Sequence, residues 1–262
     1  MAKLSTYALA GALAFALAPV AGRAADLPEP PLLEPAAPVE FGSSWYIRGD
    51  VGYKSYRNPK ASYRDSVYQA EGISNFKGEK LGDAAVIGGG VGYKFNDHFR
   101  SDLTLDYETK AKFKGDIACI DVVGCGGRDS KNKGKIDAWT VFLNGYFDLV
   151  TIGGFTPYVG GGVGFARVGL NDYDFIDPRK NPKKDVYGSY AGDKDWNFAW
   201  NLQAGASYQL TDNLLLDANY RFVDLGDVKT KSIKKSPSGD AKVKIDDLQA
   251  HEVRVGFRYM LD

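Results

Sequence analysis

The chain has 262 residues, with 33 basic and 33 acidic side chains and no net formal charge. That balance offers nucleic acid no basic excess and leaves no acidic solvating tail, and the length suits one ordinary domain or barrel. The 31 glycines, 16 tyrosines and 14 phenylalanines against two methionines favour glycine-punctuated aromatic strands over helical bundles.

Lys3 precedes an uncharged Ala/Leu run from Tyr7 to Ala21, too short for a spanning helix of about 20 apolar residues. Gly22 and Ala24 put small residues ahead of a cut between Ala24 and Ala25, so residues 1–24 read as a secretory signal peptide. Arg23 and the prolines beyond it disfavour a buried core helix. Pro28, Pro30, Pro31, Pro35 and Pro38 crowd a segment without periodicity. Proline fixes φ and lacks the amide donor, so residues 25–43 read as an extended periplasmic segment. Thereafter no run of 18 apolar residues occurs. A membrane-embedded chain must then cross as a barrel, over residues 44–262.

Eight segments alternate apolar and polar residues with the period of two that marks a half-buried strand. Trp45–Tyr53 sets Trp45, Ile47, Val51 and Tyr53 against Tyr46, Arg48 and Asp50. Ala85–Phe95 sets Ile87, Val91, Tyr93 and Phe95 against Gly88, Gly90, Gly92 and Lys94. After the turn Asn96–His98, Phe99, Leu103, Leu105 and Tyr107 oppose Arg100, Asp102, Asp106 and Glu108. Ala138–Phe147 carries Trp139, Val141, Leu143 and Phe147 on its apolar face, and Pro157–Val168 carries Val159, Val163 and Phe165. Phe198–Leu210 and Leu214–Phe222 flank the turn Thr211–Asn213. The last strand sets Val253, Val255, Phe257, Tyr259 and Leu261 against Glu252, Arg254 and Arg258. Short turns (Asn96–His98, Asp148–Gly154, Thr211–Asn213) alternate strictly with long polar connections (Arg57–Ala84, Thr109–Lys135, Gly169–Asp195, Asp224–Asp247). This pattern predicts an all-β, eight-stranded antiparallel up-and-down transmembrane β-barrel, with short turns in the periplasm and long loops outside.

The same alternation fits a soluble barrel with a greasy lumen. Aromatic placement favours lipid. Trp45, Phe95, Phe99, Phe147 and Tyr208 gather at the short-turn end of the apolar face, and Tyr53, Tyr107, Trp139, Trp200 and Phe222 at the long-loop end. Two interfacial girdles are expected on a lipid-facing wall. The polar face then lines the lumen, where Arg48, Lys54, Lys94, Arg100, Arg221, Arg254 and Arg258 meet Asp50, Asp102, Asp106, Glu108, Asp217 and Glu252. An eight-stranded lumen is filled by its own side chains, so these groups are expected to pair and plug it. The glycines at Gly88–Gly90 and Gly160–Gly162 read as close-packing positions within strands, with no phosphate loop implied.

Four stretches carry a resemblance: ADLP at residues 25–28, TPYVGGGVGFA at Thr156–Ala166, the run Asn197–Asp227, and HEVRVGFRYM at His251–Met260. They are similar to the Omp25/Omp31-type surface antigens of α-proteobacteria, within the wider opacity-protein-like barrels. The resemblance covers the barrel and is weakest in the loops. It implies an abundant outer-membrane protein that supports envelope integrity, with some relatives binding host matrix or haemin through loops. Such chains usually end on an aromatic residue, whereas here Leu261 and Asp262 follow Tyr259.

Other chemistry is sparse. Cys119 and Cys125, close together in the second long loop of an exported chain, are a disulfide candidate. Both histidines lie elsewhere, so the thiols do not make a zinc site. His98 and His251 lack a serine arranged as in a hydrolase, and no catalytic residue, metal or cofactor is assigned. In the second loop Lys110, Lys112, Lys114, Arg128, Lys131, Lys133 and Lys135 outnumber Asp116, Asp121 and Asp129, a net of +4. That charge suits lipopolysaccharide phosphates ahead of an acidic adhesion partner.

The leading reading is a structural, surface-exposed envelope protein, with lipopolysaccharide or host ligands at its loops. A small-solute pore is the alternative, and a lipid-modifying enzyme a distant third. Expected partners are outer-membrane lipid, lipopolysaccharide and, during insertion, the barrel-assembly machinery reading the last strand. No nucleic acid, no second subunit and no peptidoglycan-binding domain after the barrel are expected.

Overall fold

The computed structural model describes residues 44–120, 125–178, 181, 183, 185–190, 194–229 and 241–261. The signal-peptide and proline-rich readings of residues 1–43, with the cut between Ala24 and Ala25, lie outside them.

Eight strands make the wall: β1 (Trp45–Tyr56), β4 (Ala84–Lys94), β5 (Phe99–Ile117), β6 (Ser130–Asp148), β7 (Phe155–Asp177), β9 (Lys194–Gln209), β10 (Leu214–Asp224) and β13 (Gln249–Leu261). Each pairs antiparallel with the next. The ring closes where β13 meets β1, in a register running from Trp45–Leu261 to Tyr56–Ala250. Closure leaves the wall without a free strand edge, which hydrocarbon demands. The short turns carry their own capping. Asn96 accepts the amides of His98 and Phe99 at 2.9 and 2.8 Å, and Gly153 and Gly154 take φ of 59° and 83°, values that glycine adopts without a Cβ clash.

The long connections are not merely polar loops, which corrects the expectation for them. They contain β2 (Lys60–Arg64), α1 (Ser66–Ala70), β3 (Lys77–Leu81), β8 (Val186–Tyr190), β11 (Val228–Lys229) and β12 (Lys242–Asp246). Strands β11, β12 and β2 form a separate three-stranded sheet, and Asp65 caps α1 by accepting the Val67 amide at 2.9 Å. The expected loop Thr109–Lys135 is largely strand. With 19 residues each, β5 and β6 reach about 60 Å, against an apolar band of about 25 Å.

A bulge explains why alternation misleads here. Glu108 pairs with Ala138, but the next pair is Ala111 with Ile136, so β5 inserts one extra residue. Below it the odd-numbered Leu103 and Leu105 face lipid. Above it the odd-numbered Ala111, Phe113 and Ile117 are buried, and Lys112 and Lys114 face outward. A one-residue shift turns a whole strand over. The apolar stripe thus passes from the outside of the wall to its inside as the strand leaves the membrane.

Those turned-in residues build a dome over the barrel mouth. Tyr68, Tyr63, Phe76 and Phe113 stack edge-on in that order, with successive ring centroids 5.3, 6.2 and 5.9 Å apart. Leu170, Leu225, Val243, Ile245 and Leu248 complete a core with essentially no solvent exposure.

Candidate functional site

On the outside of the wall Ile47, Val51, Leu103, Leu143, Val163, Leu202 and Val255 are about half exposed. Tyr107 and Trp139 pair at 4.8 Å at the upper rim, and Phe99 and Phe147 at 5.0 Å at the lower. An apolar exterior between aromatic girdles is a surface for a bilayer.

The inside is a stack of ion pairs. Nearest the periplasm, Arg100 donates through Nε to Asp148 at 3.0 Å, and its guanidinium lies over the rings of Tyr146 (3.8 Å) and Tyr158 (4.5 Å). Arg258 pairs with Asp217 at 3.2 Å. One layer up, Asp102 accepts from Arg48 at 3.0 Å, Asn144 at 2.8 Å, Tyr146 at 3.2 Å and Tyr46 at 3.3 Å. Arg48 also pairs with Asp50 at 3.1 Å.

Next, Asp106 receives both terminal nitrogens of Arg254 at 2.7 and 2.9 Å, and Arg221 at 3.0 Å. Arg221 reaches Glu252 at 2.7 Å, and Arg254 touches Asp50. At the top, Lys54 sits between Glu108 (2.6 Å) and Glu252 (3.0 Å), while the Tyr56 hydroxyl donates to Glu108. Every member has a partner of opposite charge, as burial demands.

Sequence reasoning placed Lys94 in this network. It instead pairs with Asp97 at 3.1 Å in the exposed periplasmic turn. Asp148, read as turn, belongs to the network. Tyr46, Tyr146, Tyr158 and Asn144 complete it, and their signal was position: each falls on the polar face of its strand. The glycines opposite make room. A Cβ on Gly88 would collide with Asp106, one on Gly92 with Tyr46, and one on Gly162 with Asn144. Above the charges the interior turns apolar, with Ile136, Ala138, Ala166, Val168, Ala199, Val223 and Ala250 shielded from solvent. Charged filling below and an apolar cap above close the lumen.

The remaining candidates stand apart. His98 contacts the Asp148 carbonyl through Nδ1 at 3.1 Å on the periplasmic side. His251 shares a 2.6 Å hydrogen bond with the Tyr220 hydroxyl on the outer wall. Among the described residues neither hydrogen-bonds a serine or a carboxylate. Cys119 and Cys125 are bridged, with Cα atoms 5.9 Å apart. Arg128 pairs with Asp185 at 2.8 Å.

These features define a transmembrane barrel with a filled lumen. Residues 8–260 match the family model of the outer membrane protein β-barrel domain. An uncharacterized protein of Brucella suis biovar 1 is 32% identical over 269 residues, spanning 91% of this chain and 92% of its own. A putative adhesin of Rickettsia bellii is 28% identical over 219 residues, spanning 82% and 87%. The barrel of OprG from Pseudomonas aeruginosa superposes with a TM-score of 0.51 at 19% identity, covering 83% of this chain and 96% of that one, a likeness of fold. The chain belongs to the outer membrane β-barrel family and resides in the outer membrane, in line with the family and location read from the sequence.

Proposed function

We propose that this protein is a structural, surface-exposed component of the outer membrane whose working surface is its exterior, not its lumen. The observation that supports this is the continuous filling of the interior, ion pairs beneath an apolar cap. A filled eight-stranded barrel does not pass solutes, so the pore reading gains no support, and among the described residues neither histidine hydrogen-bonds a serine or a carboxylate that would favour the enzyme reading. In this reading residues 1–24 direct export and are removed before Ala25, which N-terminal sequencing of envelope protein checks. The monomeric barrel is inserted by the assembly machinery and contacts surrounding lipid and lipopolysaccharide. Deleting the gene should raise detergent sensitivity and leakage of a periplasmic enzyme, with recovery on complementation. A deletion strain as tight as its parent contradicts the proposal.

A second reading, adhesion, is supported by the name of the Rickettsia relative and by an open cavity of about 810 Å³ on the dome, where Arg64, Lys242, Ser62 and Gln69 converge beside α1. Attachment of cells displaying Arg64→Glu/Lys242→Glu, against cells displaying the parent, tests it.

A further inference from the structure

Above the upper girdle the outer wall carries lysines in rows. Lys80 of β3 is the cross-strand partner of Lys114 of β5, which is in turn the partner of Lys133 of β6. In the row below, Lys112 faces Lys135. In the row above, Lys131 and Lys77 flank Asp116. Lys80, Lys112, Lys114, Lys131 and Lys133 are exposed, and among the described residues none has a carboxylate within 4.0 Å. Asp174, across from Lys133 on β7, closes one end without forming a pair. Like charges directly opposite one another destabilise a sheet, so this wall is held in a state that an anion would relieve.

Height and direction identify the anion. Lys135 and Lys131 lie four and eight residues beyond the girdle residue Trp139 on the same face of β6. At about 3.3 Å per residue and a tilt near 40°, the rows stand about 10–20 Å above the girdle. They point sideways, along the membrane plane, where the neighbour is the saccharide of the outer-leaflet glycolipid. We propose that the lysine rows of β3, β5 and β6 are a binding site for the anionic core saccharide of surrounding lipopolysaccharide, bearing phosphate or uronic carboxylate. The proposal deepens the envelope reading above and rests on it. Bound saccharides neutralise the rows and tie the barrel to its neighbours, and the ammonium groups recognise charge without a fixed bidentate geometry.

The test uses the refolded full chain in phosphatidylcholine nanodiscs, titrated with deacylated rough-type lipopolysaccharide. Dephosphorylated material, oligogalacturonate and a heparin oligosaccharide serve as parallel probes. The parent should bind the phosphorylated saccharide or the galacturonate saturably, with affinity falling as salt rises. The variant Lys80→Gln/Lys112→Gln/Lys114→Gln/Lys133→Gln should bind at least tenfold more weakly. Replacing the same four with Arg should preserve binding, and Lys60→Gln/Lys229→Gln on the dome should leave it unchanged. Heat-modifiable gel migration verifies that every variant is folded. Equal binding by the quadruple Gln variant, equal binding of dephosphorylated material with none of galacturonate, or binding of heparin alone would overturn the proposal. If saccharide binding fails while the deletion strain still leaks, the envelope reading stands and this inference alone falls.

Discussion

Asp106 holds two arginines at once, from β10 and β13, and is almost fully shielded from solvent. Asp106→Asn would leave both guanidiniums short of charge in a confined interior, and removing one partner of a buried pair costs about 3–5 kcal/mol. Urea unfolding of the barrel in lipid should show a loss of that size. A second contrast tests the glycine reading. A Cβ on Gly164 would collide with the Val141 backbone carbonyl, which cannot step aside, whereas one on Gly145 meets open space. Gly164→Ala should cost about 1–3 kcal/mol by overpacking, and Gly145→Ala should be neutral in the same assay. Most of the lumen network was legible, because lumen residues share one parity along each strand. Depth was not. Lys94 has the right parity but lies at the rim, and Asp148 lies one residue from a turn yet reaches inward, a distinction set by where the ring of strands ends.

Among the strands, the wall segments announced themselves by period-two alternation, while their extensions did not. In β5 the odd residues stay apolar from Phe99 to Ile117 apart from Ser101, Thr109 and Gly115, and only the bulge at Thr109–Lys110 turns them from lipid to interior. No single residue there marks the bulge. Within the span, facing has a measurable consequence. Leu103 lies midway between Phe99 and Tyr107 and is 51% exposed, so Leu103→Arg should destabilise the barrel by about 2–4 kcal/mol. Unfolding at the parent's denaturant midpoint would mean that β5 is facing the other way.

On the dome, Lys244 of β12 bridges Asp227 at 2.8 Å and touches Asp246. Burial raises the Asp227 carboxyl, but hydrogen bonds from Lys244 and the Asp247 amide outweigh it and hold it below the ordinary carboxylate value. A depressed carboxylate stabilises above its unfolded value, and that contribution is lost as pH falls through the folded one. Amide protection of Val228 and Lys244 should therefore drop as pH falls below about 4, while wall amides stay protected. Asp227→Asn should remove that step.

The described unit, residues 44–261, is a barrel with charged side chains inside it and a folded outer cap. The cap rests on pairing between β2 and β12, for example Ala61 with Ile245, segments so distant in sequence that local pattern gives no hint of their contact. The lumen, by contrast, was readable from strand parity, which places opposite charges inside the barrel, where Arg221 meets Asp106 and Glu252. Single-channel recording of the refolded parent, beside Arg221→Ala and Asp217→Ala, tests the sealed interior most directly. The parent should stay silent in salt while the variants leak, because each leaves buried partners uncompensated. A steady, porin-sized conductance in the parent would contradict the filled lumen and make the protein a pore.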